Sequence, residues 1–68
     1  MNKFCENLSR LRKENNLSQQ GLADKIGVTQ QCISEWEKGN IEPTLSNLIK
    51  LADFFDVAMD YLAGRKDY

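Results

Sequence analysis

Between Gln19 and Lys38 the chain reads QQGLADKIGVTQQCISEWEK, two short amphipathic stretches meeting at a glycine, and this junction restricts the possible folds more than any other feature. From Gln19 to Ile26, Leu22 and Ile26 lie four apart with Ala23 beside them, so a helix here is apolar on one side only. Ser18 precedes it with a hydroxyl suited to an N-cap. Gly27 suits the left-handed residue that ends a helix, Val28 follows as an apolar plug in the bend, and Thr29 caps the next helix. On a 3.6-residue period that next helix, Gln30 to Lys38, divides into two faces. Cys32, Ile33 and Trp36 point one way; Gln30, Gln31, Ser34, Glu35 and Lys38 point the other. A polar face of this kind is either merely solvated or built to hydrogen-bond, and helix geometry alone leaves both open.

Neither helix buries its stripe alone, so the rest of the chain must supply packing partners. From Lys3 to about Glu14, Phe4, Leu8 and Leu11 recur at helical spacing, and Asn15-Asn16 end this first helix. After Gly39, the turn Asn40-Ile41-Glu42-Pro43 forbids helix continuation, and Thr44 caps a fourth helix. Leu45, Leu48, Leu51, Ala52 and Phe55 share its inner face, which makes it the expected largest contributor to the core, while Phe54 projects almost opposite, near Asn47 and Lys50. Val57 leads into a last helix, Ala58 to Ala63, where Tyr61 and Leu62 fold back on the core before Gly64; Arg65 to Tyr68 reads as a frayed tail. With no strand-type alternation and no repeat, the expected fold is all-α, a compact bundle of five short helices in a single domain over 1–68. At 68 residues such a chain buries only about 60% of its unfolded surface, so tight helix packing must carry its stability.

The residues around the junction resemble the helix-turn-helix of Cro/C1-type (XRE family) bacterial and phage transcriptional regulators. The matching pieces are Leu17-Ser18-Gln19, Leu22-Ala23, Gly27, Ile33, and Ser34-Glu35-Trp36-Glu37-Lys38-Gly39, followed by Pro43, Leu48, Leu51-Ala52 and Asp60-Tyr61-Leu62. Their joint spacing places a domain of this type at about 8–62 with its helix-turn-helix motif at 19–38. Thr29-Gln30-Gln31 is further similar to the recognition-helix start of some lambdoid phage repressors. Two positions depart from the pattern. Gly21 stands where the family usually has glutamate or alanine, which costs roughly 1 kcal/mol of helix propensity and removes the capping-box partner of Ser18. Glu35 stands where those phage repressors place another amide, and a carboxylate accepts from cytosine but repels phosphate.

The resemblance implies a lambda-repressor-like DNA-binding domain that reads the major groove of a double-stranded, palindromic operator with its third helix, as a homodimer, to regulate transcription, most simply as a repressor. Gln30 and Gln31 are the expected base readers, because an amide bonds adenine N6 and N7 together; Ser34 and Glu35 add contacts further along the groove. Gln19, Thr29, Lys38, Asn40, Thr44, Ser46 and Asn47 are the candidate phosphate contacts, with Thr29 and Thr44 needed as caps in any case. Gln19 is expected to carry affinity and not sequence preference. Arg12 flanks the apolar stripe of the first helix and Glu37 lies beside Ile33, so the two are expected to pair and lock helix 1 to helix 3. Phe54, with Met59 or Tyr61, is the candidate dimer contact, unless Phe54 is a singly exposed aromatic.

The net charge of −1 does not by itself favour a phosphate-rich partner. Charge is polarised, however: through Ser34 five basic residues face three acidic ones, and beyond it four face seven. Much of any phosphate contact should therefore come from helix N-termini and neutral side chains. A second use of the same fold, a small antitoxin-like or anti-activator module, would employ Phe54, Met59 and Tyr61 against a protein. Enzymatic function is not expected, since the chain has no histidine, glycine-rich phosphate loop or evident paired carboxylates. Neither a cofactor nor a metal is expected, and no small-molecule ligand is evident; Cys5 and Cys32 are read as small buried hydrophobes. No stretch resembles a signal peptide or membrane span, which leads to the expectation of a cytoplasmic protein.

Overall fold

Three hydroxyls start the three middle helices. Ser18 Oγ accepts the Gly21 amide at 2.9 Å, Thr29 Oγ1 that of Cys32 at 3.1 Å, and Thr44 Oγ1 that of Asn47 at 3.2 Å, each from extended backbone. In the computed structural model, which describes residues 3–65, the elements are α1 (Phe4–Glu14), α2 (Gln19–Ile26), α3 (Gln30–Lys38), α4 (Leu45–Phe55) and α5 (Met59–Leu62), with no strand among the described residues.

Every one of these helices stops in the same way. A left-handed residue, Asn16, Gly27, Gly39, Asp56 or Gly64, follows the last turn. The next amide then reaches back to a carbonyl five residues earlier: Leu17 to Arg12, Val28 to Ala23, Asn40 to Glu35, Val57 to Ala52 and Arg65 to Asp60, at 2.8–3.1 Å. Leu17, Val28 and Val57 also tuck their side chains against the core, as the apolar residue after such a stop usually does.

α3 packs on α1 and α2, α4 on α2 and α5, and α1 on α5. Leu8, Leu22, Ile33, Trp36, Leu51 and Leu62 are the largest fully buried side chains, one or two from each helix. Asn7 Nδ2 donates to the Tyr61 carbonyl at 2.9 Å, tying the first helix to the last. Among the described residues, no helix is long and apolar enough to cross a membrane.

Four expectations need correction. Leu45 is 65% exposed, because it sits in the first turn of α4, where no neighbouring helix covers the row that it continues with Leu48 and Ala52. α4 therefore buries no more side chains than α1 or α2 and does not dominate the core. Cys5 and Cys32 are half-buried, not internal; burial nonetheless pushes the Cys32 thiol pKa up. The outer helices are shorter than the periodicity suggests, running Phe4–Glu14 and Met59–Leu62. Of the expected frayed tail, residues 66–68 lie outside the described part.

Two of the glycine stops differ in what surrounds them. A Cβ at Gly27 would meet nothing within 4 Å, whereas one at Gly64 would stand 2.5 Å from Lys3 Cβ and 3.2 Å from its Cα. Both have φ above +80°. Asparagine, which tolerates that conformation, should therefore be accepted at Gly27 at a cost below about 1 kcal/mol, while Gly64→Asn should cost about 2 kcal/mol through displacement of the α1 start. Thermal melts of the two variants measure the difference; equal losses would show that backbone conformation, not the contact with Lys3, sets the requirement for glycine.

Candidate nucleic-acid interface

The residues expected to read bases emerge from the turn after α2. Gly27 and Thr29 re-aim the chain so that Gln30 and Gln31 occupy the first turn of α3, both exposed. Behind them runs a chain of hydrogen bonds that begins at a part-buried ion pair. Arg12 donates Nε to Glu37 Oε2 at 2.6 Å and Nη2 to Glu37 Oε1 at 3.1 Å, a two-point pairing whose side chains are 12% and 8% exposed. Its third nitrogen, Nη1, donates to the Leu17 carbonyl at 2.8 Å and so holds the α1–α2 turn. Hydrogen bonding to Glu37 raises the Arg12 pKa above its ordinary value; desolvation offsets part of this, and Coulombic attraction to the same carboxylate adds to it.

Glu37 Oε1 also accepts from Gln19 Nε2 at 3.2 Å, and Gln19 Oε1 accepts from Gln30 Nε2 at 3.0 Å. The direction of this chain follows from chemistry. A carboxylate only accepts, so Gln19 must offer it the NH₂ end; its carbonyl oxygen then faces Gln30, which must in turn offer NH₂. What Gln30 has left is its own carbonyl oxygen and one N–H, the acceptor and donor that the N6–N7 edge of adenine matches. Gln19, expected only over the backbone, thus also orients Gln30, and one N–H of its own amide is left outside these two bonds.

Further along the same face, the side chains of Gln31 and Ser34 make no hydrogen bond to the described residues, and Ser34 is half-buried. Glu35, also half-buried, accepts from Asn40 Nδ2 at 2.9 Å, so the side chain of Asn40, an expected phosphate contact, is directed at α3. Thr29 and Thr44 accept backbone amides as caps, which leaves each hydroxyl hydrogen free to donate outward. Lys38 and Ser46 are exposed and Asn47 is half-buried. α2, α3 and α4 carry no acidic residue in their first turns, although α1 and α5 carry Glu6 and Asp60 there. The positive ends of the three middle helices are thus not neutralised by their own side chains.

The expected dimer contacts separate. Phe54 is 39% exposed and meets Phe55 edge to face at 5.1 Å, but Met59 and Tyr61 are half-buried against the core. Tyr61 is engaged by Arg10, whose Nη2 donates to the phenol oxygen and whose guanidinium lies 5.5 Å from the ring centre. An apolar feature missed in the sequence is the exposed set Ile41, Leu45 and Ile49. Leu45 and Ile49 are four apart and so adjacent on the surface of α4, at the edge of the stripe that Leu48 and Leu51 bury.

A family model described as helix-turn-helix matches residues 8–62. The chain belongs to the Cro/C1-type helix-turn-helix family. Among members of this helix-turn-helix family, the Bacillus subtilis HTH-type transcriptional regulator YqaE is 42% identical over 59 residues, 87% of this chain and 51% of its own length. The cryptic phage CTXphi transcriptional repressor RstR of Vibrio cholerae is 38% identical over 63 residues, 93% of this chain and 56% of its own. The chain spans about half the length of these curated relatives. The crystal structure of the P22 c2 repressor with a synthetic operator superposes with a TM-score of 0.87 at 30% identity, covering 93% of this chain and 96% of that one. The five-helix architecture is therefore that of lambdoid repressor DNA-binding domains.

Proposed function

We propose that this chain is a sequence-specific DNA-binding transcriptional regulator, a cytoplasmic repressor, that places α3 in the major groove and binds a palindromic operator as a homodimer. The observation that carries the reading is the oriented amide of Gln30: a solvated surface glutamine has no need of a hydrogen-bonded chain running back to a part-buried ion pair. Support comes from the repressor function named for RstR and from the operator-bound c2 repressor of the same fold. Repression then follows from occupancy, since a bound dimer blocks what the operator overlaps. The dimer reading rests on reach: one recognition helix reads only a few base pairs, and a second half-site about 34 Å away supplies the remaining affinity. Phe54 is the candidate contact between protomers, with Met59 and Tyr61 contributing their half-exposed edges.

Selection from a random duplex library tests this directly, because the enriched sites report both whether bases are read and whether the site is two-fold symmetric. Gln30→Ala and Gln31→Ala should each lose roughly 1–3 kcal/mol on the enriched site and much less on random DNA. Gln19→Ala should weaken both kinds of DNA and, because it releases Gln30, should also relax the preference at the base lost in Gln30→Ala. All three variants should melt near the parent temperature, their side chains lying off the apolar faces. Folded glutamine variants that keep the parent's base preference would remove α3 as the reader; an enriched site with one unrepeated half would remove the dimer.

A further inference from the structure

We infer that Glu35 selects a cytosine in each half-site and that Asn40 is the positioning residue that holds its carboxylate to that task. The inference rests on the proposal that α3 reads the major groove. A carboxylate accepts hydrogen bonds and donates none. In the major groove, guanine offers N7 and O6, both acceptors; thymine offers O4 and a methyl group; adenine sets an acceptor, N7, beside its N6 donor; cytosine alone offers a donor with no acceptor of its own. A fixed carboxylate therefore meets repulsion from some atom of every base but cytosine.

Fixing is what Asn40 supplies. Its backbone amide closes the α3 stop on the Glu35 carbonyl at 3.1 Å, and its side-chain Nδ2 reaches the Oε2 of the same residue at 2.9 Å. The corresponding position after α1, α2 and α4 is an apolar side chain packed against the core, Leu17, Val28 or Val57. After α3 it is an exposed amide directed at a carboxylate. With Oε2 occupied, Oε1 is the oxygen left to accept a cytosine N4–H. Glu35 lies one turn beyond Gln31, so the cytosine belongs next to the bases that the two glutamines read, further into the half-site.

The test repeats the duplex selection with the full chain, Glu35→Gln and Asn40→Ala, each first shown by its thermal melt to be folded. The parent should enrich cytosine over any other base, roughly tenfold, at one position per half-site outside those altered by Gln30→Ala and Gln31→Ala. Glu35→Gln, which restores an amide with both a donor and an acceptor, should move that single position from cytosine to adenine. Asn40→Ala should keep cytosine first there but reduce its enrichment several-fold, leaving other positions unchanged; a merely structural role would weaken every position alike. A parent site indifferent at that position, or a Glu35→Gln variant with unaltered preference, overturns the inference while leaving the glutamine reading intact. Enrichment of no sequence by the parent overturns both.

Discussion

Arg12→Ala is expected to abolish the fold at the temperature where the parent is native. The substitution strands the Glu37 carboxylate, 8% exposed, without its two-point partner, and leaves the Leu17 carbonyl without the guanidinium that holds the α1–α2 turn. Breaking a fully buried pair from one side costs roughly 3–5 kcal/mol, which is the upper limit for this part-buried one. A single core of this size rarely supplies more than about 3–5 kcal/mol in total, so the loss is comparable to the whole stability. Circular dichroism melts should show either no transition or a midpoint lowered by roughly 12 °C or more. The control is the double replacement of Arg12 by Met and Glu37 by Leu, which leaves no unpaired charge and should recover much of the loss. That refolded variant should still bind DNA poorly, because Gln19 loses the carboxylate that sets its amide. Arg12→Ala melting with the parent would show that the pair contributes nothing to holding α1 on α3.

Trp36→Ala should be about as damaging for a different reason. The indole is 2% exposed on the inner face of α3, the helix that packs on both α1 and α2. Its removal forfeits the transfer energy of the largest buried side chain and leaves a void that short, capped helices cannot close, a cost of roughly 3–5 kcal/mol. Trp36→Phe keeps most of the volume and should lose less than half as much. Urea unfolding followed by far-ultraviolet circular dichroism is the appropriate measurement, since Trp36 is the sole tryptophan and its replacement removes the fluorescence signal. Equal midpoints for the alanine and phenylalanine variants would mean that the site collapses without a cavity.

What could be read in advance depended on whether the determinant was local. The starts at Ser18, Thr29 and Thr44, the stops at Gly27 and Gly39, and the stripes of α1, α2 and α3 are each written within one helical turn, and the structure has them in those places. Asp56, the left-handed stop of α4, is not legible as one, because aspartate adopts that conformation far less often than glycine. The exposure of Leu45 is not legible either, because an apolar residue in a first turn satisfies the period whether or not a neighbouring helix covers it. At the candidate interface the residue types were legible on the outer face of α3, and the Arg12 and Glu37 partnership followed from the stripes they border. The links from Glu37 to Gln19 to Gln30, and from Asn40 to Glu35, join side chains on different elements or across a turn, and no periodicity carries that information.

The shared manner of stopping bears on how quickly the chain finds its structure. Each helix is terminated by its own next two or three residues, so the reversals of direction are specified locally. The search is then narrowed to docking five short helices through short connections, and small helical bundles of this kind fold in microseconds to milliseconds. A chain of this kind exposes its apolar stripes only briefly while it is being made, which suits a protein with little stability to spare.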